Sequence, residues 1–172
     1  MPHWYTEKQV ERIVLAARRF VAASLAGEQS VTVGRVTHNP LLGGRCSQFC
    51  RECFQAGTNR GEDDTAGLFG ATANETARLM RDAGYSIGDT SGLHPGDFLW
   101  RPGGQYGHIA IYMGTNEPGH VGQKIIAENT SVAARGVPRR AGTKYTRRGP
   151  REQGGFGSWS EVFRLTRHGG GA

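Results

Sequence analysis

The chain has 172 residues, a length that suits one compact domain and leaves no room for a second of ordinary size. No apolar run approaches the roughly 20 residues that a membrane span requires, so the sequence predicts no such span. The net charge of +6 is local, because residues 135–151 contain seven basic side chains and no acid.

The first predicted element is an amphipathic helix over residues 6–26. Thr6 and Gln9 have the spacing of a capping box, and Gly27 is a typical residue at a helix end. The apolar positions of this segment recur at helical spacing, so one face is expected to pack on the rest of the protein. These positions are Val10, Ile13, Val14, Ala17, Phe20, Val21 and Leu25.

A glycine-rich stretch over residues 31–45 leads into the next predicted helix, which covers residues 46–55. Residues 58–67 are polar and acidic and are expected to form a surface loop. A further helix is predicted over residues 72–83, where Gly84 ends it.

The second half of the chain has the pattern of strands. Residues 93–97 contain a Pro-Gly pair and predict a turn, after which apolar residues recur in short runs. The predicted strands are residues 98–101, 108–113, 124–131 and 162–166. Because helices come first and strands follow, the sequence predicts an α+β fold with helices packed on an antiparallel sheet.

The three cysteines lie within eight residues, so a disulfide framework is not expected. Cys46 stands where the glycine-rich stretch becomes a helix, near the unpaired N–H groups and the positive end of the helix dipole. Such a position lowers the pKa of a thiol and makes it a nucleophile. Cys50 and Cys53 lie one and two turns further along and are expected to be structural.

A second group of candidate residues follows on the predicted strands. His108 begins an apolar strand directly after Gly107, where its imidazole can reach a cleft. Glu128 and Asn129 lie on the next strand, and either could hold the far nitrogen of the ring. The order of these residues along the chain is compatible with a nucleophile, a base and an orienting group.

Alternation along a strand places Glu128 and Asn129 on opposite faces, so only one of them is expected to contact His108. Ala127 shares a face with Asn129, and a small residue beside Asn129 would leave room for the imidazole. We therefore expect Asn129 to be the orienting residue, with Glu128 as the competitor.

Three blocks of the sequence resemble the signature blocks of the NlpC-type papain-like cysteine peptidases, and the related CHAP amidases share their layout. The blocks are residues 43–49 (GGRCSQF), 93–99 (LHPGDFL) and 107–114 (GHIAIYMG). Together the resemblance covers residues 38–131, and its specificity lies in the order of the three blocks.

The resemblance implies a papain-like fold with the nucleophilic cysteine at the N-terminus of a helix. It implies Cys46 as nucleophile, His108 as base and Asn129 as the third residue, with Glu128 in that role in the CHAP pattern. The implied activity is hydrolysis of amide bonds in peptidoglycan peptides through a thioacyl-enzyme, with no metal or cofactor. Two features depart from the family: Arg45 stands where an aspartate is common, and residues 31–45 contain no counterpart of the upstream tyrosine.

The expected organisation is an N-terminal helix over residues 1–28, a catalytic domain over residues 29–168 and a flexible tail over residues 169–172. Arg18 and Arg19 interrupt the apolar stretch of the first helix, so no secretory signal is predicted. An enzyme acting on the cell wall would then depend on another delivery route, such as a phage lysis system or a secretion apparatus.

Two other functions are compatible with parts of the sequence. The C-x3-C-x2-C spacing of the three cysteines is that of radical S-adenosylmethionine iron–sulfur proteins, but a helix over these residues would keep the thiols from converging on one cluster. The basic loop expected over residues 135–151 could bind nucleic acid or another polyanion. Nucleic acid is the disfavoured partner, because the same loop could be simply solvated or could steer an anionic wall polymer.

Overall fold

The computed structural model describes residues 2–88, 92–133, 136–147 and 159–167. These residues form an α+β fold, in which helices pack on a sheet whose strand pairs are all antiparallel. The helices are α1 (Glu7–Leu25), α2 (Cys46–Gly57) and α3 (Ala73–Asp82). The strands are β1 (Val31–Val33), β2 (Val36–His38), β3 (Ser86–Gly88), β4 (Phe98–Arg101), β5 (His108–Gly114), β6 (Ile125–Thr130), β7 (Gly142–Arg147) and β8 (Glu161–Phe163). The predicted α+β class is confirmed.

The main sheet has six strands in the order β3-β8-β4-β5-β6-β7, and β1 and β2 pair separately as a hairpin. Strands β4, β5, β6 and β7 are consecutive neighbours, so this half of the sheet is an antiparallel meander. The first residue of β5, His108, pairs with Arg101 at the end of β4. The turn before β4 therefore lies at the opposite end of this strand pair from His108.

Helix α1 begins as its sequence predicts. The Thr6 hydroxyl accepts a hydrogen bond from the Gln9 backbone N–H (3.0 Å), and the Gln9 side chain accepts one from the Thr6 N–H (2.9 Å). These two bonds satisfy donors that a helix start otherwise leaves open. The apolar face of α1 packs against α2 and β7.

Helix α2 packs against α1 and against β5 and β6 of the sheet, and its residues Phe49, Cys50, Cys53 and Phe54 are fully buried. Gly57 at its end lies so close to α1 that a Cβ atom there would come 2.4 Å from Ile13 Cγ1. Only glycine permits this approach of the two backbones.

Both faces of the sheet are covered by buried apolar side chains. The face toward the helices contributes Ile109, Ile111 and Ile125 to the main core. The opposite face contributes Ala110 and Ile126 to a smaller cluster, which also contains Trp159. Odd-numbered residues of β5 and β6 therefore face the helices, and even-numbered residues face the smaller cluster.

Four strands were not predicted, and the most important of them is β7. The basic segment over residues 135–151 is predicted from the sequence to be a loop, but residues 142–147 pair with β6 along its whole length. The first five residues of β7 are buried, and Lys144 is only 1% exposed. The Lys144 ammonium donates to the Val132 carbonyl (2.8 Å), and Arg140 donates to the Ser24 carbonyl. A strand that carries a buried lysine does not show the usual apolar alternation, which is why it looked like a loop.

Strands β1 and β2 lie in the stretch that was expected to be an irregular approach to the second helix, and β3 follows α3. All three have only three residues, too few for a periodic pattern to be recognised. Residues 135 and 148–151 of the basic segment lie outside the described residues, as does the predicted tail at 169–172.

The second sequence block, residues 93–99, has a structural role. The Asp97 carboxylate accepts from the Arg164 guanidinium at 2.9 and 2.7 Å and from the His94 backbone N–H at 2.8 Å. Asp97 and Arg164 are buried, so this pair joins the start of β4 to the residue that follows β8.

Candidate active site

Cys46 is the first residue of α2, and Arg45 occupies the N-cap position without a side-chain capping bond. The preceding loop turns through Gly44, whose φ of +73° favours glycine. The first N–H groups of the helix, which have no carbonyl partner within it, therefore lie beside a partly exposed thiol.

The thiol lies at the end of the sheet where His108 begins β5. It is hydrogen-bonded to the His108 side chain and to the backbone N–H groups of Ile109 and Ser47. The β5–β6 register joins Ile111 to Ala127 and runs from there toward Gly114. His108 lies at the other end of β5, before this paired stretch, and α2 packs on the same strand.

The Cys46 thiol and the His108 imidazole shift each other's pKa values. Burial alone would raise the pKa of Cys46, but its hydrogen bond to His108, the charge of the imidazolium and the two backbone N–H groups hold it below the ordinary value. Burial would lower the pKa of His108, but its bonds to Cys46 and Glu128 and their charges raise it to about 9. Between these two pKa values the pair is a thiolate and an imidazolium.

Glu128 is the third side chain of the site and lies on the side of the His108 ring away from Cys46. Its Oε1 lies 2.6 Å from His108 Nε2, which leaves Nδ1 of the ring to face the thiol. Its Oε2 accepts a hydrogen bond of 2.5 Å from the Thr146 hydroxyl on β7. Burial would raise the pKa of Glu128, but the bond to His108, the bond to Thr146 and the charge of Arg101 together lower it. The carboxylate is therefore ionised where it meets the imidazole.

The expectation that Asn129 orients the imidazole does not match this geometry, and Glu128 takes that position. The reason is the register of the strands, because Tyr112 pairs with Ile126 and directly opposed residues share a face. His108 lies on the same face as Tyr112, and Glu128 lies on the same face as Ile126. Asn129 necessarily points to the other face.

Asn129 holds the loop before Cys46 instead. Its Oδ1 accepts from the Arg45 backbone N–H (2.8 Å), and its Nδ2 donates to the Leu42 carbonyl (2.7 Å) and to the Thr143 hydroxyl (3.1 Å). Two of the three residues named from the sequence, Cys46 and His108, are in direct contact, and the third supports the loop behind the thiol.

Sequence reasoning missed three residues around His108. The Trp159 ring stacks on the imidazole with centroids 5.8 Å apart, and the Arg101 guanidinium lies 5.0 Å from the centre of the Trp159 ring. Thr146, the donor to Glu128, lies on the strand that looked like a loop. The pairing of Arg101 with His108 follows from the β4–β5 hairpin and could have been found by aligning the two predicted strands.

The other two thiols lie inside the protein. Cys50 and Cys53 are fully buried in the core, and burial raises the pKa of each well above the ordinary value. The three cysteines lie along one continuous helix, so they are spread over about two turns instead of surrounding a common point. Within the described residues, no group of three His, Cys, Asp or Glu side chains could hold a metal ion.

No protein-family model, curated protein or solved structure matches the chain. Among the described residues, no helix is both long and apolar enough to cross a membrane.

The arrangement of Cys46, His108 and Glu128 can supply a nucleophilic thiolate from Cys46 and a proton donor from His108, which are in contact with each other.

We expect iodoacetamide to alkylate Cys46 before the other two thiols, because Cys46 is partly exposed and its pKa is lowered. The rate should rise with pH at a midpoint below about 8.5, the ordinary value for cysteine. Peptide mapping by mass spectrometry over a time course measures both quantities. Fast labelling of Cys50, or fast labelling that persists in Cys46→Ser, would contradict this assignment.

Replacing Glu128 with glutamine keeps the shape of the side chain and removes its charge. The pKa of His108 should fall from about 9, and the midpoint for Cys46 alkylation should move to higher pH, because the imidazolium that lowers the pKa of Cys46 loses its anionic partner. Thr146→Val, which removes only the hydrogen bond to Oε2, should move the midpoint less and in the same direction. An unchanged midpoint in Glu128→Gln would show that this carboxylate does not support the ion pair.

Proposed function

We propose that the protein is a cysteine peptidase or amidase of the papain-like type that hydrolyses amide bonds in peptidoglycan stem peptides. The observation that carries the proposal is the contact of the Cys46 thiol, at the N-terminus of α2, with His108, whose far nitrogen is held by Glu128. The nucleophile therefore comes from a helix start and the base and its partner from successive strands, in the chain order that the family resemblance implies.

In the proposed reaction the Cys46 thiolate attacks the amide carbonyl, and a C–S bond forms while the carbonyl electrons move to oxygen. The Cys46 backbone N–H at the helix start stabilises this oxyanion. As the oxyanion collapses, the C–N bond breaks and His108 gives its proton to the leaving amine. His108 then takes a proton from water, the water attacks the thioester, and the acid leaves as the thiol is restored.

The choice of substrate rests on the three sequence blocks and on exposed apolar side chains in the segments next to Cys46, His108 and Glu128. Leu42 precedes the Cys46 loop, Tyr106 lies two residues before His108, and Val132 follows the end of β6. All three are exposed although they are hydrophobic. Exposed apolar side chains of this kind suit short peptides with small apolar side chains, such as the alanines of a stem peptide.

The glutamate beside His108 favours the CHAP pattern over the NlpC pattern, in which a neutral polar residue is expected. A carboxylate adds negative charge behind the imidazolium, and this raises the pKa of His108. The ring then remains a proton donor to the leaving amine over a wide range of pH.

Binding of nucleic acid as the main function loses support. The basic segment that suggested it contributes β7 to the sheet. Lys144 is buried and bonded to a backbone carbonyl, and the Arg140 side chain donates to the Ser24 carbonyl. Such groups add little to a surface that could follow a phosphate backbone.

The direct test is digestion of defined muropeptides, with the products weighed by mass spectrometry. The intact protein should release new amine and carboxylate ends, and Cys46→Ala should release none. The rate should fall as the pH rises through about 9, because His108 then loses the proton that it gives to the leaving group. If the muropeptides stay intact after prolonged incubation with protein whose Cys46 still reacts with iodoacetamide, the proposed substrate is wrong.

Arg45 should favour substrates with a carboxylate near the scissile bond, because its exposed guanidinium lies next to the nucleophile and donates to a neutral group, the Gln48 amide. We expect a stem peptide with a free carboxylate there to be cleaved about two- to fivefold better than its carboxamide analogue, the range of one exposed ion pair. Arg45→Gln should remove the difference, mainly through KM, and salt should reduce it. Arg12→Gln, on the exposed side of α1, is the matched control. Equal preference in the intact protein and Arg45→Gln would contradict this role.

A further inference from the structure

Asn129 binds both ends of the glycine turn that leads to the nucleophile. Leu42 and Arg45 flank Gly43 and Gly44, and the Asn129 side chain accepts from the Arg45 N–H and donates to the Leu42 carbonyl. Because one partner is a donor and the other an acceptor, the orientation of the amide is determined. Asn129 is only 1% exposed, so these bonds are shielded from water.

A ring of hydrogen bonds, buried at Asn129, Thr143, His38 and Glu52 and exposed at Arg45, supports Asn129 from behind, and we call it the Asn129 network. Its members are Asn129, Thr143, His38, Glu52, Gln48 and Arg45. The Thr143 hydroxyl bonds to Asn129 and, at 2.8 Å, to His38 Nε2. Glu52 lies 3.3 Å from His38 Nδ1 and accepts from Gln48 at 3.0 Å. The ring therefore joins β2, β6, β7 and α2 to the loop before the thiol.

The loop needs such support because its two glycines give it little stiffness of its own. Gly43 also lies against the ends of β6 and β7, where a Cβ atom would come 2.5 Å from the Thr130 carbonyl oxygen. The peptide unit between Arg45 and Cys46 carries the N–H that faces the oxyanion in the proposed reaction. Asn129 holds the preceding peptide unit, Gly44–Arg45, through the Arg45 N–H. The first turn of α2 holds the Arg45–Cys46 unit itself, because the Arg45 carbonyl accepts from the Phe49 N–H (2.9 Å).

We propose that Asn129 is a positioning residue for the oxyanion site, and that it acts through the Gly44–Arg45 peptide, which leads directly to the Cys46 N–H, and not through His108. The proposal rests on the proposed cysteine-hydrolase chemistry. Its consequence is a separation of two reactions of the same thiol. Acylation moves electrons onto a carbonyl oxygen and needs the positioned N–H. Alkylation by iodoacetamide forms a C–S bond as iodide leaves, and no oxyanion arises.

The experiment compares Asn129→Ala with Glu128→Gln in both reactions of the full chain. Alkylation is followed with iodoacetamide across pH, and acylation is followed with 4-nitrophenyl acetate and with muropeptides. Asn129→Ala should lower the acylation rate about 10- to 100-fold, the order of cost for a misplaced oxyanion donor, while its alkylation midpoint stays unchanged. Glu128→Gln should move the alkylation midpoint, because it acts on the imidazole.

A second variant keeps the test decisive if Asn129→Ala fails to fold. Thr143→Val has nearly the same shape as the original side chain and removes its bonds to Asn129 and His38, so it should lower acylation less than Asn129→Ala and leave the alkylation midpoint in place. Thr143→Ser keeps the hydroxyl and should restore the acylation rate. Circular dichroism and thermal melting confirm that each variant is folded.

Parallel changes in alkylation and acylation would overturn the proposal, because they would show that Asn129 affects the thiol–imidazole pair itself. Unchanged rates in both reactions would overturn it equally. The intact protein could leave muropeptides uncleaved while Asn129→Ala slows acylation by 4-nitrophenyl acetate and leaves the alkylation midpoint unchanged. In that case the proposed substrate is wrong and the proposed role of Asn129 is supported. If muropeptides are cleaved but Asn129→Ala changes acylation and alkylation to the same extent, the proposed role of Asn129 is wrong and the proposed function is supported.

Discussion

The placement of helix α2 is the constraint on which the rest of the site depends. At one end Gly57 lets α2 approach the backbone of Ile13 in α1, where any side chain would collide. At the other end Asn129 holds the Arg45 N–H, so the first residue of the helix meets the start of β5. A helix held at both ends cannot slide along its axis, and an axial shift of one residue, about 1.5 Å, would already separate the thiol from His108.

Burying a carboxylate beside the imidazole has an electrostatic cost that the surrounding residues offset. Glu128 accepts hydrogen bonds through both oxygens, one from His108 and one from Thr146, and the charge of Arg101 adds to their effect. A buried carboxylate with fewer partners would be protonated and would no longer hold the imidazolium. This requirement explains why Thr146 on β7 and Arg101 on β4 belong to the site although neither is near Glu128 in sequence.

The sequence predicts those features that depend on neighbouring residues and misses those that depend on strand pairing. Helical periodicity and caps locate α1, α2 and α3 to within a few residues, and the junction of a glycine loop with a helix singles out Cys46. The choice between Glu128 and Asn129 requires the register of β6 against β5, which no local pattern contains. Strand β7 is hidden because Lys144 is buried through a bond to a backbone carbonyl, so the strand carries charge where apolar residues are expected.

The adjacency of Glu128 and Asn129 gives a single strand two separate tasks. Alternation sends the carboxylate to the face that carries His108 and the amide to the face that carries the start of α2, so both ends of the thiol–imidazole contact are supported from β6. A register slip of one residue would exchange these faces and place a charge behind the glycine loop and an amide behind the ring. The pairing of all six residues of β6 with β7 opposes such a slip. The strand in the basic segment, which was predicted to be a surface loop, therefore helps to hold β6 in the register that brings Glu128 to the histidine.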